Sequence, residues 1–237
     1  IPCHMCPNVW IMYSTFLYSI DKAEEAEYLL EKRGLNGLIG NDLAFLRLYG
    51  LFEESHDNEE KARFIFEECI HAKFQNDKGI FWTSGSARIA LSSYYLRQSN
   101  LHPEVQNEMR EQAIKVLSDY IQTFGDYLSV PKKNVNVDNQ REFTVVAAAL
   151  SQLLEYSDPA AKLPIIEEVR KKCLKVPLAL AICVRNMIDC QNIDLAKQIY
   201  EEFLISPQAQ MSLKDRCEMF PVYIDFLRKY STIAEIR

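Results

Sequence analysis

The residues able to do chemistry are few and scattered. One metal-like spacing, Cys3-His4-Met5-Cys6, opens the chain. A zinc site takes about four ligands, and no second Cys/His pair follows at suitable spacing, so the segment reads as a plain loop or buried thiols. The cysteines at 3, 6, 69, 173, 183, 190 and 217 are odd in number and fall mostly inside apolar helical patterns. Reduced thiols of a cytosolic or nuclear protein fit this better than a disulfide framework. The histidines at 4, 56, 71 and 102 stand at helix ends or turns, with no paired carboxylate at ligand spacing. There is no Gly-rich phosphate loop, no GxSxG elbow and no HExxH. Acidic stretches such as Glu24-Glu25-Ala26-Glu27 and Glu53 to Glu60 follow solvated helix faces and turns. These residue types point to no catalytic centre, no metal and no cofactor, and an enzyme is the least favoured class.

The charges speak to partners. A formal net charge of −6 argues against a broad phosphate-binding surface, which needs clustered Lys and Arg. Two basic exceptions stand out: Lys132-Lys133, and Arg170-Lys171-Lys172 with Lys175. The second lies near a helix C-terminus, where the macrodipole favours cations. RNA contact is therefore expected to be minor at most.

These side chains must be carried by helices. Only 7 of 237 residues are glycine, too few for the tight turns of a hairpin-rich β fold. The 48% apolar content supports a core, and no apolar run approaches the ~18 residues that span a bilayer. The sequence opens at Ile1 without Met and ends at Arg237 inside a helical pattern, so it is expected to be part of a longer chain.

The helices come in pairs. Trp10, Tyr13 and Phe16 recur at three-residue spacing along one expected helix face, a polar turn surrounds Asp21, and Ala26, Leu29 and Leu30 line a second helix. The layout returns at Leu46, Tyr49 and Phe52, a turn at Asp57-Asn58, then Ala62, Ile65 and Phe66. Tyr13 to Tyr49 and Ala26 to Ala62 are both offsets of 36 residues. A third first-helix runs from Ala87 to Leu96 with Asn100 in its turn, and a polar insertion precedes Ala113. A long loop is expected near 127–139. A fourth pair covers 140–156 and 159–174, and a fifth covers 177–190 and 194–204. The run Asn192 to Glu202, with Ala196, Ile199 and Tyr200, matches Asn58 to Glu68 almost position for position. Tyr223 and Phe226 mark a sixth first-helix, with its partner helix beginning as the chain ends. The expectation is an all-α superhelical solenoid of antiparallel helix pairs, one array over 1–237, in which stacking buries faces no single pair can hide. Trp10, Tyr13, Phe16, Tyr49, Phe52, Ala62, Ile65, Ala196 and Tyr200 are read as repeat core.

The motif formed by Trp10/Tyr13/Phe16, by Tyr49/Phe52/Glu53 with Ala62-Arg63-Phe64-Ile65-Phe66-Glu67, and by Ala196 to Glu201 resembles the half-a-tetratricopeptide (HAT) repeats of RNA-processing factors. Within that group, Ile1-Pro2-Cys3 and Val9-Trp10-Ile11-Met12-Tyr13 look like the opening of the C-terminal repeats in the pre-mRNA-processing factor 39 family. Leu51 to Glu54, Arg88 to Asn100 and Ser212 to Leu227 follow in a fitting order, while 101–190 is diffuse. The resemblance implies a non-catalytic nuclear scaffold of the U1 small nuclear ribonucleoprotein, acting in 5′ splice-site recognition. It implies a homodimer, or a heterodimer with a related paralogue, formed through these repeats, and contacts to other proteins of the particle. Phe220, Tyr223, Phe226 and Tyr230 are the expected contact residues. A HAT scaffold of pre-mRNA 3′-end cleavage and a helical-repeat protein that binds RNA directly are the alternatives.

Overall fold

The computed structural model describes residues 6–74, 81–129, 139–172, 177–206 and 212–231, and among them the chain is all-α with no strand. It divides into two compact units, Ile1–Met109 and Arg110–Arg237. In each, antiparallel helix pairs stack in the manner of a repeat solenoid.

The first unit contains α1 (Pro7–Ser19), α2 (Ala23–Tyr28), α3 (Leu43–Ser55), α4 (Glu59–Phe64) and α5 (Phe81–Leu101). Helices α2 and α4 widen into π-helical continuations, Leu29–Leu38 and Ile65–Ala72. Pro7 starts α1, where a missing N–H costs nothing. Asp42 caps α3, its carboxylate accepting from the Ala44 and Phe45 N–H groups at 2.7 and 3.0 Å. Helix α1 packs on α2 and α3, and α3 packs on α4 and its continuation.

Most of α6 (Gln106–Ser129) belongs to the second unit, with α7 (Asn139–Tyr156), α8 (Pro159–Lys172), α9 (Pro177–Asp189), α10 (Ile193–Tyr200) and α11 (Leu213–Tyr230). Helix α10 also ends in a π-helical stretch, Glu201–Ile205. Helix α9 packs on α7, α8 and α10, and α11 packs on that stretch.

Three hairpins share one turn. Asp21, Asp57 and Gln191 adopt left-handed backbone at φ 59°, 58° and 59°. The next residue donates its N–H back to the preceding helix: Lys22 to Leu17, Asn58 to Glu53 and Asn192 to Met187, at 2.9, 3.0 and 2.8 Å. These bonds satisfy carbonyls that a helix end leaves open.

The buried register follows the same repeat. In the three first helices, Trp10-Ser14-Leu17, Leu46-Gly50-Glu53 and Leu180-Val184-Met187 are all buried. This is i, i+4, i+7 spacing, which stays on one face of a 3.6-residue helix. Gly50 is what admits Phe66, whose ring would lie 2.6 Å from a Cβ at that position. Ala26, Ala62 and Ala196 are wholly buried in the second helices, beside Leu30, Phe66 and Tyr200.

Tyr13 and Phe16 depart from the expectation. They are 51% and 54% exposed, not core, while Tyr49 and Phe52 at the matching positions of α3 are buried. Three-residue steps drift about 60° each on an α-helix, so Phe16 lies about 120° from Trp10. That third face is buried in α3 because α1 covers it; among the described residues nothing covers it in α1.

Two further boundaries differ. Asn100 lies inside α5, and the expected polar insertion is a single 3₁₀ turn, Pro103–Val105, followed directly by α6. The expected loop at 127–139 is helical to Ser129 and again from Asn139. Lys132, Lys133 and Lys175, residues 3–5 of the metal-like motif, and the expected helix after Ser231 lie outside the described residues.

Candidate protein-binding site

Helix α11 presents two apolar faces with different fates. Ser212 starts it, with Oγ accepting from the Asp215 N–H at 3.2 Å and donating to the Asp215 carboxylate at 2.6 Å. On the inner face Tyr223 and Phe226 are only 3% and 5% exposed. Both rings pack on Tyr200, at 5.1 and 5.3 Å between centroids. The Tyr223 hydroxyl donates to Glu201 at 3.4 Å. Burial, reinforced by Glu201, pushes the Tyr223 phenol above its ordinary value, so it stays neutral. Tyr223 and Phe226 are therefore not free contact residues, contrary to the expectation for them: they cement α11 to the preceding pair. Tyr230 is half-buried against Phe226, 5.2 Å away.

Among the described residues nothing covers the outer face. Leu213, Cys217, Phe220 and Ile224 form an i, i+4, i+7, i+11 stripe, with Leu213 73% and Phe220 42% exposed. With Pro221 and Leu204 they line a cavity of about 690 Å³. In register, Phe220 and Ile224 match Leu46 and Gly50, the positions on which a second helix lies in α3. The groove thus has the form of a seat for a helix. Arg216, Asp225 and Arg228 rim it. Arg228 pairs with Asp225 at 3.2 Å, whereas the buried Nε of Arg216 has no hydrogen-bond partner among the described residues. Such an orphan donor is satisfied when a carboxylate or carbonyl arrives.

Spacing alone missed this stripe because Leu213 and Cys217 lie outside the three-residue aromatic pattern. A count at i, i+4, i+7 would have found it.

The other sequence candidates do not assemble a site. Trp10, Tyr49, Phe52, Ala62, Ile65, Ala196 and Tyr200 are buried packing residues. The hydroxyl-bearing Tyr49 sits beside Glu53 and Lys61, and burial followed by the Glu53 charge pushes its phenol far above the ordinary value. Glu53 is fully buried, accepts from Asn58 Nδ2 at 2.9 Å and faces Lys61 at 3.4 Å. Arg170 of the basic cluster is taken up by Glu167 and Glu202, both at 2.6 Å. Burial opposes its charge, but the two carboxylates outweigh that and hold the guanidinium above its usual value. His56 and His102 stand at helix ends and His71 in the π-helical part of the second pair. Among the described residues no group of three or more His, Cys, Asp or Glu could hold a metal ion, Cys6, Cys69, Cys190 and Cys217 are free thiols, and no described helix is long and apolar enough to cross a membrane.

No protein-family model matches the chain, and no solved structure matches it. Over 65 residues it is 40% identical to the rRNA biogenesis protein rrp5 of Schizosaccharomyces pombe. The matched stretch is 27% of this chain and spans 4% of that protein's length.

Proposed function

We propose that this chain is a non-catalytic protein-binding scaffold in RNA processing that dimerises through its last helix pair. The observation that carries this is the open groove on α11, an apolar helix seat with an unsatisfied Arg216 donor at its rim. A partner helix with an acidic or carbonyl-presenting edge fits both features. The likeness to an rRNA biogenesis protein supports RNA processing in the broad sense. The resemblance of the repeats to HAT splicing factors supports the finer reading: a nuclear component or associate of the U1 small nuclear ribonucleoprotein, paired with itself or with a related paralogue. Precursor ribosomal RNA processing is the second reading, favoured by the rrp5 match. The net charge of −6 and the neutralised Arg170 support protein partners over direct RNA contact.

Sedimentation equilibrium of the 237-residue chain tests the proposal. A concentration-dependent dimer is expected, with Phe220→Ser/Ile224→Ser reduced to monomer; a strict monomer at tens of micromolar sinks it. Cys217 in the groove and Cys190 in the distant turn are both exposed thiols. Alkylation of Cys217 should slow as concentration rises while that of Cys190 does not. Salt-dependent binding of a single-stranded RNA oligonucleotide by the monomer would favour direct RNA recognition instead.

A further inference from the structure

The second helix pair keeps buried charge at positions where the fifth pair does without it. Tyr49, Glu53, Lys61 and Phe64 correspond to Cys183, Met187, Leu195 and Gln198, 134 residues on. A repeat that folds around an apolar filling has no structural need of the polar one, so these polar groups point to a use beyond folding.

They surround a cavity of about 460 Å³ between the π-helical stretch Leu29–Leu38 and α4. Glu31 and Leu35 form one wall, Glu60, Lys61 and Phe64 the other, and Tyr49 the floor. The first and second helix pairs are both in place around it, so a further repeat at either end of the array would leave it open. Tyr49 is wholly buried, yet its hydroxyl lies beside Glu53 without completing a hydrogen bond. Glu53 Oε1, equally buried, has no hydrogen-bond partner among the described residues. Lys61 Nζ stands 3.4 Å from Glu53 and 3.9 Å from Glu31, both longer than the roughly 2.7–2.9 Å of a charge-assisted hydrogen bond. Lys32 takes the other oxygen of Glu31, at 2.7 Å. The carboxylates of Glu31, Glu53 and Glu60 thus meet one loosely held ammonium.

We infer that this cavity receives an arginine side chain from an extended segment of a partner polypeptide, with Lys61 as the resident cation that gives way. A guanidinium carries five N–H donors in a planar fork, enough to serve several acceptors at once, and its face stacks on aromatic rings. Phe64, 49% exposed, supplies such a ring. The exposed Asn36, also lining the cavity, offers an amide to the backbone that carries the arginine. The site lies in the first unit and does not depend on the α11 groove.

Nuclear magnetic resonance titration of the 237-residue chain with N-acetyl-arginine amide tests this. Saturable shifts are expected at the Leu35 and Ile65 methyl groups, and none with the neutral isostere N-acetyl-citrulline amide. Glu31→Gln/Glu60→Gln should weaken binding at least fivefold. Lys61→Ala, which removes the competing cation, should tighten it at least fivefold. Where that variant does not fold, Tyr49→Phe replaces it: binding should weaken about fivefold while the melting temperature stays unchanged. The Phe220→Ser/Ile224→Ser monomer should bind as the wild type does, which separates this outcome from that of the dimer proposal. No saturable shift at these methyl groups, equal binding of the citrulline amide, or weaker binding by Lys61→Ala overturns the inference. The peptide Ser-Gly-Arg-Gly-Ser should bind at least as tightly as the amide; its exclusion would assign the cavity to a small free ligand and overturn the partner polypeptide.

Discussion

The second and fifth helix pairs are built on one plan and filled with opposite chemistry. Asn58 and Asn192 occupy the same place in the same turn, 134 residues apart. In the fifth pair Asn192 caps its helix, Oδ1 accepting from the Leu195 N–H at 3.3 Å. In the second pair Asn58 turns its amide the other way and donates to Glu53, whose charge is closed in by Lys61. The counterparts of Tyr49, Glu53 and Lys61 in the fifth pair are Cys183, Met187 and Leu195, an apolar filling of the same space. The volumes differ as well: Gly50 beneath Phe66 corresponds to Val184, with Tyr200 at the matching position, so the fifth pair is the larger at both places. The repeat backbone therefore requires the left-handed turn but no one filling of the space between the helices. The buried ion pair of the second pair is an addition that the fold does not need, consistent with the weak net value of such pairs when an apolar isostere is available.

The difference can be broken most sharply by exchange. Met187→Glu places a carboxylate at a fully buried site where Leu195 stands in place of the lysine that faces Glu53 and Asn192 is engaged as a helix cap, and should cost about 3 kcal/mol or more in urea denaturation. The reverse change, Glu53→Met, should cost only about 1–2 kcal/mol, because Asn58 and Lys61 can turn to water. Equal losses would mean the two sites are not equivalent. Gly50→Val installs the fifth-pair residue against Phe66 and should cost about 2–3 kcal/mol by overpacking; pairing it with a smaller residue at 66 should recover much of the loss.

Smaller effects sharpen the comparison at the turn. Asn58→Ala should destabilise by about 1–2 kcal/mol and Asn192→Ala by about 1 kcal/mol, since the first also strips a donor from a buried carboxylate. Gln191→Gly should stabilise by up to about 1 kcal/mol, because glycine carries no penalty at φ 59°. Asp57→Gly should gain less, as aspartate tolerates that backbone better than glutamine.

The smallest effect is a pH dependence confined to the second pair. Burial, with Arg88 adding to it and Glu67 and Glu68 opposing, lowers the His71 pKa from its ordinary 6.5. As pH falls through 6.5 the unfolded chain takes up a proton that the folded chain refuses, so stability drops from there down to the folded value. Thermal unfolding followed from about pH 7 to about pH 5 should show a decline that His71→Gln flattens.

Much of the architecture was legible because it repeats. The 36-residue offset and the matched runs at 58–68 and 192–202 reflect turns and alanine contacts that local sequence specifies, and the hairpins form where those signals stand. Tyr13, Phe16, Tyr223 and Phe226 were harder. Their spacing identifies a helix face, but a face becomes core or surface according to which neighbouring helix lies on it. That neighbour is remote in sequence for α3 and α11, and absent among the described residues for α1. The α11 groove was only partly visible, since Leu204 reaches it from another element.

What the amino-acid sequence determined by itself is the helical class, the pairing, the turn positions and the absence of recognisable catalytic motifs, because periodicity, turn residues and composition act locally. What only the tertiary structure decided is which aromatic residues are cement and which are open surface. Burial is a property of two elements meeting, and one strip of sequence encodes only its own half of that contact.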